Sequence, residues 1–533
     1  MSESNVLGTV ASTAARQITV HVKPDEHVLE ARIGQLVALD TSKDDGGFLV
    51  GLVDRLTSGT AALSPPDAES DILLETECNL AYVTLVGRVN KEANKFYASF
   101  VHSPAIGAQC KMIIGKDLED LTEMMSVGIC IGRHSRFPEY KAYIDADHFF
   151  QRHAAILGST GAGKSWTVAA LIEKMNRLKS GNCIVFDLHG EYKTLERARH
   201  LRIPGPSELA SNSGDMLWLP YWLLNGVELQ SMFIDSSEFS AHNQIAKFNL
   251  AVLSHKPDEA TLDSPVPFSM YGVTDDLRVL NEQMVRGVNK EKKGPYHGDF
   301  TRLLARMDAK LTDARLGFMM NAPDYSLGDI VAKLMDFSTA SVRVIDFSQV
   351  PSDILPIVVS LVARLVYDVN FWTKPEQRHP LAFICDEAHV YLSRRQDKNP
   401  VEKRAAAMFD RIAKEGRKYG VSLVVVSQRP SDLSATILSQ CNNLLVMRMS
   451  NRDDLSTVAA RVPSGLDSLL DALPVLDVGE AVVLGDAVAL PSRIMIDPPL
   501  TPPASETVDL WSEWSRQTDE PNFEAAIDKM QRR

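Results

Sequence analysis

Residues 157–166 read LGSTGAGKSW, and the spacing Gly158-x-x-x-x-Gly163-Lys164-Ser165 limits the fold more than any other stretch of the chain. Glycines so placed let consecutive backbone amides turn inward around phosphate oxygens. A lysine at the helix start then reaches the β and γ groups, and the hydroxyl after it holds magnesium. Gly158, Ser159, Thr160, Gly161, Ala162, Gly163, Lys164 and Ser165, with Trp166 just beyond, are therefore expected to line a nucleotide such as ATP with Mg2+. The bland alternative is a glycine turn with an incidental lysine, and the context weighs against it. HAAIL leads in as a short apolar strand, and WTVAALIEKM follows with apolar residues at helical spacing, the strand–loop–helix setting that a phosphate loop needs.

A chain of 533 residues exceeds one ordinary core; at about 150 residues per domain it divides into roughly two to four units. The 56 basic and 69 acidic side chains leave a net charge of −13, which argues against a surface that coats nucleic acid or anionic lipid indiscriminately. Any contact with DNA has to be a local patch or a channel. Cys78, Cys110, Cys130, Cys183, Cys385 and Cys441 are scattered without a CxxC pair, so they read as buried free thiols of a reducing compartment rather than disulfides or zinc ligands. MSESNVLGTV lacks a basic-then-apolar leader, and no run approaches the roughly 18 apolar residues of a membrane span. The expected location is the cytoplasm.

Residues 1–140 alternate apolar and polar positions over short runs such as QITVHV, QLVALD, GFLVGLV and AYVTLVGRV, which predicts a small N-terminal β-barrel. From about residue 148 the runs AAIL, NCIVFD, VRVIDF, LAFICD, VSLVVVS and NLLVMRM alternate with helical patterns. Strands this apolar are buried on both faces, so the fold class is α/β with a mainly parallel sheet. The core is assigned to residues 141–204 and 341–498, and the long helical patterns of 205–340 form a helical insertion within it. NKEKKGPYHG, inside the insertion, reads as a polar loop. Residues 499–533 are proline-punctuated and then weakly helical, which suggests an arm laid on a neighbouring surface.

A nucleoside triphosphatase needs a carboxylate to organise magnesium and a second group to orient the attacking water. LAFICDEAHVYL places Asp386 and Glu387 at the carboxyl end of a strand, the edge of an open α/β sheet where ligands bind. Asp386 is the expected magnesium partner through water, alongside Ser165, and Glu387 the expected general base; adjacent acids that merely begin a helix are the alternative. Gln428, ending VSLVVVSQ, is the candidate sensor of the γ-phosphate, or else an amide capping the sheet edge. Asp187, His189 and Glu191 in VFDLHGEY border the nucleotide or simply build a turn, and His389 reads more as a packing residue than a catalyst. Arg411, Arg417, Arg429, Arg448 and Arg152 are candidates for the cation that neutralises transition-state charge. Such a residue contributes about 10³–10⁵ in rate, and if it reaches across to a neighbour's nucleotide the active unit is an oligomer, naturally a ring.

RHAAILGSTGAGKS, VFDLHGEY, CDEAHVYL, KEGRKYGVSLVVVSQRPSDLSATILSQCNN and the barrel-like N-terminus together resemble the HerA family of hexameric DNA-translocating ATPases, relatives of FtsK. The resemblance spans nearly the whole chain, and EGRKYG followed by SQRP and LSQCNN is its most specific part. It implies a barrel that docks a partner, a RecA-like phosphate-loop core, a helical insertion, and a C-terminal arm that braces the adjacent protomer. It also implies that Lys164, Ser165, Asp386, Glu387 and Gln428 take the motor roles, and that Arg152 and Arg411 or Arg417 contact nucleotide, at least one from the neighbouring subunit. The implied partners are DNA through a central pore and a NurA-type nuclease or another effector, such as a sirtuin-like NAD-consuming enzyme, in DNA end processing or anti-phage defence. The basic stretches Arg394–Arg404 and KEKKG are the candidate pore loops.

Two other readings stay open. A nucleotide-gated scaffold would assemble and switch an effector with little DNA movement. A conjugation or secretion ATPase would dock at a membrane, for which no span or basic amphipathic segment is evident.

Overall fold

The computed structural model describes the chain except residues 1–4, 23–31, 41–46, 64–73, 179, 212, 287–290, 394–399, 464–465, 506–509, 516–522 and 532–533. It separates into two compact units. One comprises Met1–Lys174, Val424–Ser431 and Leu438–Leu500; the other comprises Met175–Leu423, Asp432–Ile437 and Thr501–Arg533.

The first unit opens with the barrel. Its strands are β1 (Val6–Ala14), β2 (Gln17–Val22), β3 (Leu36–Asp40), β4 (Gly47–Leu63), β5 (Leu74–Asn90), β6 (Lys95–Tyr97) and β7 (Gln109–Met112). They run in the order β2-β1-β7-β3-β4-β5, and β2 pairs back onto β5, so six strands close on themselves while β6 extends β5. Closure leaves no open edge in the ring. Leu7, Val10, Ile18, Val20, Val37, Leu39, Val53 and Val83 fill the interior, the inward half of an alternating pattern. Gly51 sits at a bulge in β4, where a Cβ would lie 2.3 Å from the Val83 Cγ1; only glycine fits that approach.

The remaining strands of the first unit form one sheet, in the order Val424–Ser427, Ala154–Leu157, Asn443–Met447, Glu480–Gly485, Ser492–Ile496, Ile129–His134, Lys141–Ile144. The first three of these are parallel and the remaining pairings antiparallel. The parallel members were legible as continuous apolar runs. The antiparallel extension was not, because ICIGRH, KAYI and SRIMI mix charged and apolar residues as one-sided or edge strands do. Asn443 knits this region together, donating to the His148 carbonyl at 2.8 Å and accepting from the Ala487 amide at 2.8 Å.

The second unit orders Ala198–Arg202, Val342–Asp346, Cys183–Asp187, Leu381–Cys385 and Val421–Leu423, the last being the first three residues of the strand that ends in the other unit. The Ala198–Arg202 edge strand, with sequence ARHLR, was too polar to recognise in advance. Helix Leu355–Trp372 is long and apolar enough to cross a membrane, a span the sequence patterns did not flag; most of it is buried inside this unit, as a core helix is. The 205–340 region carries helices Gly226–Phe233, Ala241–Ser254, Met270–Glu282, Thr301–Thr312 and Leu327–Met335. The first begins in a capping box of Asn225 and Glu228. Glu228 also takes two bonds from Arg364 of the apolar core helix, at 2.7 and 3.1 Å, which clamps the insertion to the core. Part of NKEKKGPYHG is not loop: Glu291–Lys293 pairs antiparallel with Met284–Arg286. The basic stretch 394–399 lies outside the described residues, and helix Pro400–Glu415 follows it.

Candidate active site

In the first unit, strand Ala154–Leu157 delivers the loop and helix Lys164–Met175 leaves it. Gly161 and Gly163 have φ of 74° and 103°, values an L-residue adopts only under strain. The loop is held from behind by backbone. The Ser159 amide donates to the Arg448 carbonyl at 2.9 Å, and the Ala162 carbonyl accepts from the Gly479 amide at 3.0 Å. A Cβ at Gly163 would stand 3.2 Å from that same Gly479 nitrogen. Lys164 is nearly buried and donates to the Ser159 carbonyl at 3.1 Å, so its ammonium curls over the cradle. Thr160 donates its hydroxyl proton to the Gln428 side-chain oxygen, which puts the sensor candidate of the adjacent strand directly on the loop. Arg152 forms an ion pair with Asp486.

In the second unit the acids gather. Asp187 is fully buried and accepts from the amides of His189, Glu191 and Tyr192 at 3.3, 3.0 and 3.0 Å. Of its two sequence readings this geometry matches the turn-builder. Burial pushes its pKa up against those bonds, and Asp346 adds to the rise. Asp386 is 4% exposed, and burial together with the charges of Glu387, Glu191 and Asp187 raises its pKa to about 8. Glu387 occupies left-handed backbone at φ 42°, ψ 42°, a conformation costing a bulky residue on the order of 1–3 kcal/mol and concentrated at functional sites. His389 Nδ1 lies 3.2 Å from Glu387 Oε2, within ion-pairing distance. Tyr192 is fully buried with its phenol beside Asp386, Glu191 and Asp187; the hydroxyl approaches Asp386 without reaching ordinary hydrogen-bond geometry. Crowding makes Asp386 costly to ionise, a cost that a nearby cation would lower, but among the described residues no three acidic, histidine or cysteine side chains converge as a metal-binding group, so Asp386 is a single ligand rather than part of a protein-built Mg2+ cage.

Residues 129–366 match the family model described as Helicase HerA, central domain. Over that stretch the chain is similar to the HerA helicases. It is 27% identical over 489 residues to the DNA double-strand break repair helicase HerA of Saccharolobus solfataricus, covering 87% of this chain and 88% of that protein. To the helicase of the same name from Sulfolobus acidocaldarius it is 28% identical over 521 residues, covering 92% and 94%. Among solved structures it is similar to VirB4 of Thermoanaerobacter pseudethanolicus, with 17% identity, 70% of this chain and 96% of that one covered, and a TM-score of 0.48.

The arginine candidates of this chain differ in setting. Arg411 is 3.5 Å from Glu415 on its own helix and lies over the Tyr367 ring at 4.9 Å. Arg417 is exposed; its carbonyl accepts from the Gly420 amide at 3.4 Å, and its side chain makes no hydrogen bond or ion pair among the described residues. The sequence reading missed Tyr192 and the Gly479 support of the loop. A tyrosine after Gly-Glu and a glycine in DVGE carry no chemistry of their own until folding brings them to the site.

Proposed function

We propose that this chain is the motor of a cytoplasmic, ring-forming ATP-dependent DNA translocase or helicase. The observation that carries the reading is the preformed phosphate loop, its threonine bonded to Gln428 on the neighbouring strand. The kinship with DNA double-strand break repair helicases supports DNA as the track.

Within that reading the amides of Thr160, Gly161 and Gly163, with Lys164, hold the phosphates, while the Ser159 and Ala162 amides brace the loop on the Arg448 and Ser159 carbonyls. Gln428 follows the γ-phosphate through Thr160, and Glu387 takes the proton from the attacking water. Ser165 and Asp386 would hold Mg2+, which supplies charge neutralisation at the phosphates. The strained backbone of Glu387 aims its carboxylate, and His389 steadies it. Arg417, being uncommitted, is the better candidate than Arg411 for a cation offered to a neighbouring subunit's nucleotide.

The barrel of residues 1–140 is the proposed dock for a nuclease or NAD-consuming effector. The arm is proposed to brace a neighbour in a hexamer: Pro502 and Ala504 are tied to Thr194 and Glu191, and beyond them Trp511 and Trp514 are 78% and 74% exposed. Those exposed indoles also favour the scaffold reading, in which assembly rather than movement is the output.

The deciding experiment measures ATP hydrolysis with and without linear duplex DNA, beside Glu387→Gln, and strand displacement without any partner. DNA-stimulated turnover lost in the variant, with displacement by the chain alone, is the expected result. Turnover indifferent to DNA would overturn the motor reading in favour of the scaffold.

A further inference from the structure

The first unit contains a cavity of about 710 Å³, apart from the phosphate loop, whose lining includes the apolar Ile33, Phe137 and Met495, the basic Arg133, Arg136 and Arg493, and the acidic Asp477 and Glu480. That volume suits a nucleotide-sized ligand. Arg493 is committed, since it grips the buried Glu480 with two bonds, one of them 2.6 Å. Arg133 spends one bond on the Pro138 carbonyl at 3.1 Å. Arg136 is different. It has no hydrogen bond or ion pair among the described residues, and the charges it feels most are those of Arg32 and Arg493. The side chain is exposed at the cavity wall, yet partial desolvation and those two like charges lower its pKa. Its guanidinium lies flat against Gly34, whose Cβ, if present, would be 3.0 Å from the Arg136 Cζ.

A guanidinium held among other guanidiniums, at the wall of an apolar-backed cavity, is a poor arrangement for stability and a good one for an anion. We propose that this cavity is a second anion site, which binds a phosphate monoester through Arg136, with Arg133 assisting and the apolar wall receiving the group that carries the phosphate.

The cavity also has a short mechanical route to the phosphate loop. Glu480, held by Arg493, accepts from the Asp477 amide at 3.1 Å, and Gly479 between them supports Ala162.

The test uses the full chain with Lys164→Ala, which silences the phosphate loop, and inorganic pyrophosphate as the probe in titration calorimetry. Binding is expected, and Arg136→Gln added to that protein is expected to weaken it at least tenfold. Without ligand, Arg136→Gln is expected to raise the melting temperature, because a like-charge contact is removed; a merely structural arginine would lower it. No binding, or binding that Arg136→Gln leaves unchanged, or a lowered melting temperature, overturns the proposal. Adenosine monophosphate and a short oligonucleotide with or without a 5′-phosphate then separate the sources. Preference for the mononucleotide assigns a free nucleotide, and dependence on the 5′-phosphate assigns a strand end. Arg136-independent binding of both overturns the site.

Discussion

The phosphate loop and the carboxylate cluster are built on opposite principles. The loop, in the first unit, is satisfied before any ligand arrives: glycines take the left-handed turns, backbone bonds from Arg448 and Gly479 brace it, and Lys164 rests on the Ser159 carbonyl. The cluster, in the second unit, is dissatisfied. Asp386 is pushed to about 8, Glu387 holds a left-handed backbone, and the Tyr192 phenol finds no ordinary bond among the described residues. The difference teaches where each half keeps its binding energy. A preorganised cradle loses little entropy on binding, whereas the acids store electrostatic tension that a cation releases.

The largest effects should fall on turnover and spare the fold. Arg417→Ala is expected to reduce DNA-stimulated hydrolysis by about 10³-fold or more if it serves a neighbour's nucleotide, with an unchanged melting temperature because its side chain is uncommitted. Arg411→Ala should do the reverse, with a stability loss of about 1 kcal/mol from its aromatic contacts and a small rate effect. Steady-state kinetics beside thermal unfolding separates them, and identical behaviour would remove the distinction. Next comes Glu387→Gln, expected to lower turnover by about 10²–10⁴-fold while ATP binding stays within a few fold. A matching loss of ATP binding would show that the carboxylate half also holds the ground state, and the contrast between the halves would fail.

How much of this was legible beforehand follows from the same contrast. The loop was readable because its chemistry lies in contiguous residues, Gly158 to Ser165, and the strands AAIL, CIVFD and LAFIC were readable because burial on both faces leaves only apolar residues. Asp386 and Glu387 could be named, but their crowding could not, since Glu191 and Asp187 approach only through the turn that Asp187 itself ties. The strands Lys141–Ile144 and Ala198–Arg202 were hidden by edge polarity, and Glu291–Lys293 by a basic sequence that reads as a solvated loop. The Arg136 cavity needs residues from both ends of the chain, which no local pattern encodes.

The crowding of the acids makes a pH prediction of intermediate size. The Asp386 pKa rises on folding from the ordinary 3.8 to about 8, so the folded protein keeps a proton that the unfolded chain has released. Its stability contribution is complete below the unfolded value and is lost as pH rises through that window, by up to ~1.4 kcal/mol per pH unit. Without nucleotide or magnesium, Asp386→Asn should therefore gain stability on the wild type as pH climbs from about 5 to 8, and added Mg2+ should narrow the gap. Denaturant unfolding across that range checks it. Parallel curves for the two proteins would mean that the acids are not crowded after all.

The smallest effect isolates backbone strain from charge. Glycine accepts the left-handed conformation that Glu387 occupies at φ 42° without the steric cost of a Cβ, a relief of about 1 kcal/mol. Glu387→Gly also removes one of the charges that raise Asp386, so both terms favour the variant, and Glu387→Gln, which removes the charge alone, serves as the reference. The expectation is that Glu387→Gly is about 1 kcal/mol more stable than Glu387→Gln by denaturant unfolding, with turnover lowered by at least about 10²-fold in both. The same pair at Ala162 of the loop, Ala162→Gly against wild type, should show no gain, because that half carries no such strain. A gain at both positions would reduce the effect to chain flexibility. A gain at neither would mean that the turn after Asp386 adopts this conformation at no cost, and the strain would then play no part in aiming the base.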